Sequence, residues 1–264
     1  MVTHRHSVLA VHHTPHKSLM VKFITNSIWI LLVGLLKGSL ALSIAGINVR
    51  KVPLRRTSGG GDDSPPYCLA VSSPMDIFER PETNFLATQV WPSARTAALT
   101  LERYLNPEWT VCEFGCGPGL PSLTAAHAGA AKVYATDLDA FALILVDAAA
   151  KEQNLSERVE AMPFDLVDGS HDDIPLADLY VFSDVFESAT VAKGACRVSA
   201  TVLQHGARVW VFAQSDRAQR EVYLEEMRTV LGDSSLSWSP VDEGIPANAS
   251  LWLCDIDETA VFYG

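Results

Sequence analysis

An apolar run enters three glycines spaced by two in Val111-Cys-Glu-Phe-Gly-Cys-Gly-Pro-Gly-Leu-Pro121, and a helix-forming stretch follows. Gly115, Gly117 and Gly119 carry no Cβ, so the bend can take positive φ and a ligand can lie against its backbone. The neighbours narrow the choice of ligand. A dinucleotide fingerprint needs its third glycine where Leu120 stands, and a nucleoside-triphosphate loop needs Gly-Lys followed by Ser or Thr, which this segment lacks. Glu113 lies two residues before the first glycine. A carboxylate in that turn repels pyrophosphate and suits a ligand carrying an ammonium and a sulfonium. Asp137 ends the run Val133-Tyr-Ala-Thr-Asp137, twenty positions after Gly117 and followed by Leu138, at the spacing of an acid that accepts ribose hydroxyls. Asp165 ends the next run, where it can meet an adenine amino group with Leu166 on the ring face. Asp at a strand end also caps helices. Three such carboxylates in series beside one glycine loop favour a nucleoside pocket.

These residues need a frame that brings strand ends together. Apolar periodicity predicts a helix over 91–105, then strands at 109–114, 132–136, 159–163, 179–183 and 208–213. Helices over 120–127, 140–153, 189–205 and 217–231 alternate with them. Such alternation builds crossover units around a parallel sheet. Two late runs, 236–240 and 251–263, are separated by a short polar stretch, and a hairpin is their natural connection. The expected fold is therefore α/β: a Rossmann-like, doubly wound, seven-stranded and mostly parallel sheet with one antiparallel strand.

Composition sets further bounds. With 264 residues and 48% apolar content, the chain suffices for one large domain and an appendage. The net charge of −11 hides an asymmetry, because no acid precedes Asp62 while eight Lys and Arg do. Residues 62–264 carry 12 basic against 31 acidic residues, a net −19. That body is a poor phosphate binder, so nucleic acid is disfavoured as a partner. Five scattered cysteines suggest neither a disulfide framework nor a metal site, and no metal is expected. Residues 1–64 read as a leader: an apolar stretch over 28–46 broken by Lys37, an acid-free Arg-bearing stretch over 48–58, and a Gly/Ser/Pro linker. This composition points to delivery to a mitochondrion or plastid, with membrane contact through 28–46, and Met20 is an alternative start. The other reading is an unstructured start on a cytoplasmic protein. The catalytic domain is expected over 65–264.

The glycine loop, together with Trp91-Pro-Ser-Ala94, Gly129-Ala-Ala-Lys-Val133, Thr136-Asp-Leu-Asp-Ala-Phe-Ala142 and Ser183-Asp-Val-Phe-Glu187, resembles the class I S-adenosylmethionine-dependent methyltransferases. Within them it is similar to the family 16 group of protein-lysine and nicotinamide N-methyltransferase-like enzymes. Asp137-Leu-Asp-Ala-Phe-Ala-Leu143 and Asp255-Ile-Asp-Glu-Thr-Ala-Val261 look closest to the branch that methylates lysines of the electron-transfer flavoprotein β subunit. The resemblance implies S-adenosyl-L-methionine as cofactor, held by the glycine loop and Asp137, with Trp91 and Ser183 lining its pocket. It also implies a protein lysine or a small amine as acceptor, or a module that binds the cofactor without transfer, in a monomeric protein. Methyl transfer to an amine needs the nitrogen lone pair free, and Asp184 and Glu187 are the candidates to orient that amine or take its proton. Helix N-terminal acids favoured by the dipole are the alternative. In that branch an acid is followed after two residues by Tyr or Phe, whereas here Asp184 is followed by Glu187, with Phe186 one position early.

Overall fold

A computed structural model of the chain describes residues 42–54, 65–78, 84–241, 244 and 246–254. Residues from Leu42 onward form one compact unit built on two sheets. The large sheet contains β4 (Thr110–Phe114), β5 (Lys132–Asp137), β6 (Val159–Pro163), β7 (Leu179–Ser183), β8 (Arg208–Gln214), β9 (Ser239–Pro240) and β10 (Ala249–Cys254). Their spatial order is β6-β5-β4-β7-β8-β10-β9, with the turn of direction between β4 and β7.

Both faces of this sheet are covered, as a parallel sheet requires. Alternate side chains sort the strands into two cores. Val111, Val181, Trp210 and Phe212 pack toward α2 (Pro92–Tyr104), α3 (Leu120–His127) and α4 (Ala140–Glu152). Cys112, Phe114, Tyr180, Phe182 and Val211 pack toward α5 (Ala189–Gln204) and α6 (Arg220–Leu231). A short helix, α1 (Pro74–Phe78), precedes these, and the longer helices start at identifiable signals. Pro92 opens α2, the Asp139 carboxylate accepts from Phe141 N and Ala142 N at the start of α4, and Ser188 Oγ accepts from Val191 N at the start of α5. The doubly wound α/β architecture expected from the alternation is the one observed.

The expected antiparallel strand is not. β10 runs parallel to β8, with Ala249 beside Val209 and Cys254 beside Gln214, and β9 runs parallel to β10. The physical reason lies in the length of β9. Its two residues advance the chain by only about 7 Å, so a short segment suffices to return it to the starting edge. There Asn248 O accepts from Val209 N at 2.7 Å and sets β10 in register with β8. The expected run over 236–240 narrows to β9, and the expected run over 251–263 ends at Cys254, with 255–264 outside the described residues.

A second difference concerns the supposed leader. Residues 42–53 form β1 (Leu42–Ile44) and β2 (Ile47–Pro53), which join β3 (Tyr67–Val71) in an antiparallel sheet. Ala45 and Gly46, at φ 52° and 80°, make the two-residue turn whose left-handed backbone suits a hairpin. Ile47, Val49 and Val52 are buried, whereas of the two basic residues that gave this stretch its transit-peptide character Lys51 is exposed and Arg50 is partly buried, so the stretch is a packed strand. The sheet is tied to α4: Gln153, at its C-terminus, accepts from Tyr67 N (3.2 Å) and donates to Tyr67 O (2.9 Å), and Lys51 pairs with Glu152 at 3.0 Å. The folded unit therefore begins before the linker. The rest of the 28–46 stretch and residues 55–64 lie outside the described residues.

Candidate active site

The carboxyl ends of β4, β5, β6 and β7 open into a cleft of about 820 Å³, where open α/β sheets bind ligands. The glycine loop forms its floor. Gly115 and Gly117 have φ of 65° and 50°. A Cβ at Gly115 would stand 2.5 Å from Val185 Cγ1, and one at Gly117 would press on Ala87 O at 3.3 Å. The loop is thus held closer to its surroundings than any side chain allows.

Three of its backbone donors are already spent. Gly117 N donates to Asp137 Oδ2 at 2.8 Å, Cys116 N to Thr136 O at 2.9 Å and Gly119 N to Cys116 O at 2.8 Å, while Pro118 has no N–H. A loop that cradles phosphates must point such groups at the ligand. This one points them into the protein. Asp137 also accepts from Asp139 N at 2.9 Å, so it holds the loop and the entry to α4 together while its carboxylate lines the cleft. Burial raises its pKa, against the backbone hydrogen bonds that lower it.

Glu113 sits elsewhere than the sequence suggested. It is fully buried and does not reach the cleft lining. Helix α3 begins at Gly119 without a side-chain cap, and Glu113 supplies what is missing. Its Oε2 accepts from Ser122 N at 2.9 Å and Ser122 Oγ at 2.5 Å, and its Oε1 accepts from Ser183 Oγ at 3.4 Å. Burial pushes its pKa up to about 8. The side-chain alternation of β4 points Glu113 under the loop. Gly119 is likewise absent from the lining; it turns the chain into α3 at φ 76° and packs against Val146.

Leu138, Asp165, Leu166, Ser183 and Trp91 all line the cleft. Leu138 is 70% exposed, an apolar side chain standing at the rim. Asp165 Oδ1 accepts from Val167 N at 2.7 Å, which folds the loop after β6 into a tight turn. Two residues of α5 hold that loop and escaped sequence reasoning. Arg197 Nη2 donates to Leu166 O (2.9 Å) and Val167 O (2.8 Å), and Gly194 admits Leu166 O to where a Cβ would be 2.0 Å away.

Asp184 and Glu187 reach the other end of the cleft, beyond β7. Asp184 is not a free base there. Both its oxygens are engaged by Arg217, whose Nε donates to Oδ1 at 3.0 Å and Nη2 to Oδ2 at 2.9 Å. The Asp184 side chain is 2% exposed, and burial raises its pKa while Arg217 opposes the rise. The guanidinium also lies 5.0 Å from the Trp91 ring centroid. Nothing in the sequence signals this pairing across 33 positions. Glu187 is exposed at the mouth. Phe186, the displaced aromatic, is buried against Tyr223 and Trp238 and takes no part in the cleft.

Residues 92–181 match the family model described as ribosomal protein L11 methyltransferase (PrmA). The ribosomal protein L11 methyltransferase of Alkaliphilus metalliredigens is 37% identical over 71 residues, covering 27% of this chain and 22% of the relative. That of Oceanobacillus iheyensis is 33% identical over 99 residues, covering 38% of this chain and 31% of the relative. The chain thus spans about a fifth to a third of the length of these relatives. A TehB-like S-adenosylmethionine-dependent methyltransferase structure from Corynebacterium glutamicum is 18% identical with a TM-score of 0.42, over 54% of this chain and 73% of that one. Over residues 92–181, about a third of its length, the chain is similar to the ribosomal protein L11 methyltransferases, which places that stretch with the S-adenosylmethionine-dependent methyltransferases. The finer resemblance to family 16 and its flavoprotein branch finds no support in these matches. They also overturn the expectation of organelle delivery: both relatives are bacterial, and part of the supposed leader is folded sheet. Among the described residues no helix is long and apolar enough to cross a membrane.

Proposed function

We propose that this protein transfers a methyl group from S-adenosyl-L-methionine to a protein amine, foremost a lysine side chain. The observation that carries the cofactor reading is the glycine loop whose Cys116, Gly117 and Gly119 N–H groups are spent internally beside a strand-end carboxylate. Such a loop rejects pyrophosphate and accepts a ribose hydroxyl at Asp137, leaving Leu138 and Leu166 to cover the adenine faces. When bound, S-adenosylmethionine supplies the activated methyl group, so the chain's own contribution is alignment and exclusion of water. Glu187, unpaired with any described cation, is the carboxylate available to an incoming amine. The relatives named for ribosomal protein L11 act on a protein, and the net −19 of residues 62–264 suits a basic polypeptide partner. The matched stretch ends at residue 181, before Asp184, Glu187 and Arg217, so the acceptor end belongs to the part of the chain that the family model does not cover.

The protein is to be incubated with methyl-labelled S-adenosylmethionine and acid-extracted bacterial ribosomal proteins. Label on one ribosomal protein, located on lysine by mass spectrometry, is the expected result. Label confined to a small-molecule fraction of whole-cell extract would replace the protein acceptor by a small amine.

A further inference from the structure

Among the described residues that line the cleft, five are acids (Asp137, Asp139, Asp165, Asp184 and Glu187) and one, Arg217, is a cation. The acids are not evenly served. Asp137, Asp139 and Asp165, at the ends of β5 and β6, take only neutral backbone N–H donors. Asp184 alone is matched by a full positive charge. The cleft is therefore sorted: one end is purely anionic, and the other holds a charge pair.

That pair costs the fold something to keep. Asp184 has φ 62°, a left-handed backbone that a non-glycine residue adopts rarely and at a cost of roughly 1 kcal/mol or more. Its N–H donates to Phe212 O, so the turn sits where β7 and β8 meet. Burying the Asp184 side chain would demand a partner, and Arg217 is held for that task from three sides: by Asp184, by Gln214 Oε1 at 3.0 Å and by the face of Trp91. Its Nε and Nη2 are engaged, whereas Nη1 donates to no described residue.

An anionic group entering this cleft has few places to go. At the β5–β6 end it meets three carboxylates, and the glycine loop offers little help because Cys116 N, Gly117 N and Gly119 N are taken. Arg217 remains. A cationic group beside it finds Asp184 and Glu187. Positive and negative partners at adjacent positions complement an α-amino-acid zwitterion, which carries its ammonium and carboxylate on one carbon. The strand order places Asp184, at the end of β7, two strand spacings from β5, roughly 10 Å, which suits an extended nucleoside whose ribose lies at Asp137.

We propose that the Asp184–Arg217 pair docks the amino-acid end of the cofactor, Arg217 taking the carboxylate through Nη1 and Asp184 the ammonium; this rests on the cofactor reading above. Asp184 is then a cofactor ligand and not an acceptor base, and Trp91 is the plate that keeps the guanidinium in place.

The test uses three ligands in calorimetric titrations of the whole protein: S-adenosylhomocysteine, its decarboxylated counterpart bearing only the aminopropyl amine, and 5′-methylthioadenosine, which lacks the amino acid. The unaltered protein should bind S-adenosylhomocysteine at least about tenfold more tightly than the decarboxylated compound, about 1.4 kcal/mol. Arg217→Gln should bring that ratio close to one by weakening only the carboxylate-bearing ligand, and Arg217→Lys should give an intermediate ratio. Asp184→Asn should weaken both amine-bearing ligands relative to 5′-methylthioadenosine. Should the unaltered protein bind the first two ligands within twofold of each other, the docking role falls whatever the variants do, while the cofactor reading stands. Binding of none of the three overturns both.

Discussion

Gly119 is at once a conformational and a packing constraint, and replacing it by alanine separates the two. Its φ of 76° costs an alanine about 1–2 kcal/mol. The new Cβ would also stand 2.6 Å from Val146 Cγ2 on α4, and overpacking of that kind costs about 1–3 kcal/mol. Gly119→Ala should therefore destabilise the protein by about 2–5 kcal/mol. Gly232, the C-cap of α6, is the control: it has φ 66° and nothing within 4 Å of an added Cβ, so Gly232→Ala should cost only the backbone share, about 1–2 kcal/mol. Urea unfolding followed by circular dichroism measures both, provided the m value is unchanged. Val146→Ala, which removes the clashing methyls, should recover about 1 kcal/mol or more in the Gly119→Ala background beyond additivity. Equal losses at Gly119 and Gly232, with no recovery from Val146→Ala, would refute the claim that the loop is wedged against α4.

Three further outcomes follow from the same geometry. Glu113 has its folded pKa raised from 4.5 to about 8, so the folded state holds the proton more tightly than the unfolded chain. Its contribution is complete below about pH 4.5 and lost as pH rises toward 8; urea midpoints should fall across that window, and Glu113→Gln should flatten the fall by a few kcal/mol. Gln153→Ala strips both backbone partners from Tyr67 and should cost about 1–3 kcal/mol, with hydrogen exchange accelerating first in β1–β3. Gly194→Ala should weaken S-adenosylhomocysteine binding at least about tenfold in calorimetry, although alanine favours the helix by about 1 kcal/mol, because its Cβ displaces Leu166 O at the adenine side.

What could be read from the sequence were features written in contiguous residues. Gly115, Gly117 and Asp137 announce themselves because a strand, a tight turn and a strand-end acid have fixed spacing. The alternation of apolar periods likewise implies a doubly wound sheet. Side-chain direction was harder: Glu113 lies in the same motif, yet the pleat of β4 aims it beneath the loop to Ser122. Arg217 was invisible because its meaning depends on Asp184 and Trp91, which only folding brings near. β10 could not be oriented from composition, since parallel and antiparallel edge strands use the same residues. β2 looks like leader because a half-buried strand that carries two adjacent basic residues, placed after an apolar run, has the composition of one.

The central claim is that this cleft selects a nucleoside carrying a charged amino acid over a pyrophosphate-bearing dinucleotide, and the direct measurement is a calorimetric titration of the whole protein with S-adenosylhomocysteine and, separately, with NAD. The account predicts one-to-one binding of the first, at least about a hundredfold weaker binding of the second, and loss of the first in Asp137→Ala. Tight NAD binding with no heat from S-adenosylhomocysteine would contradict it.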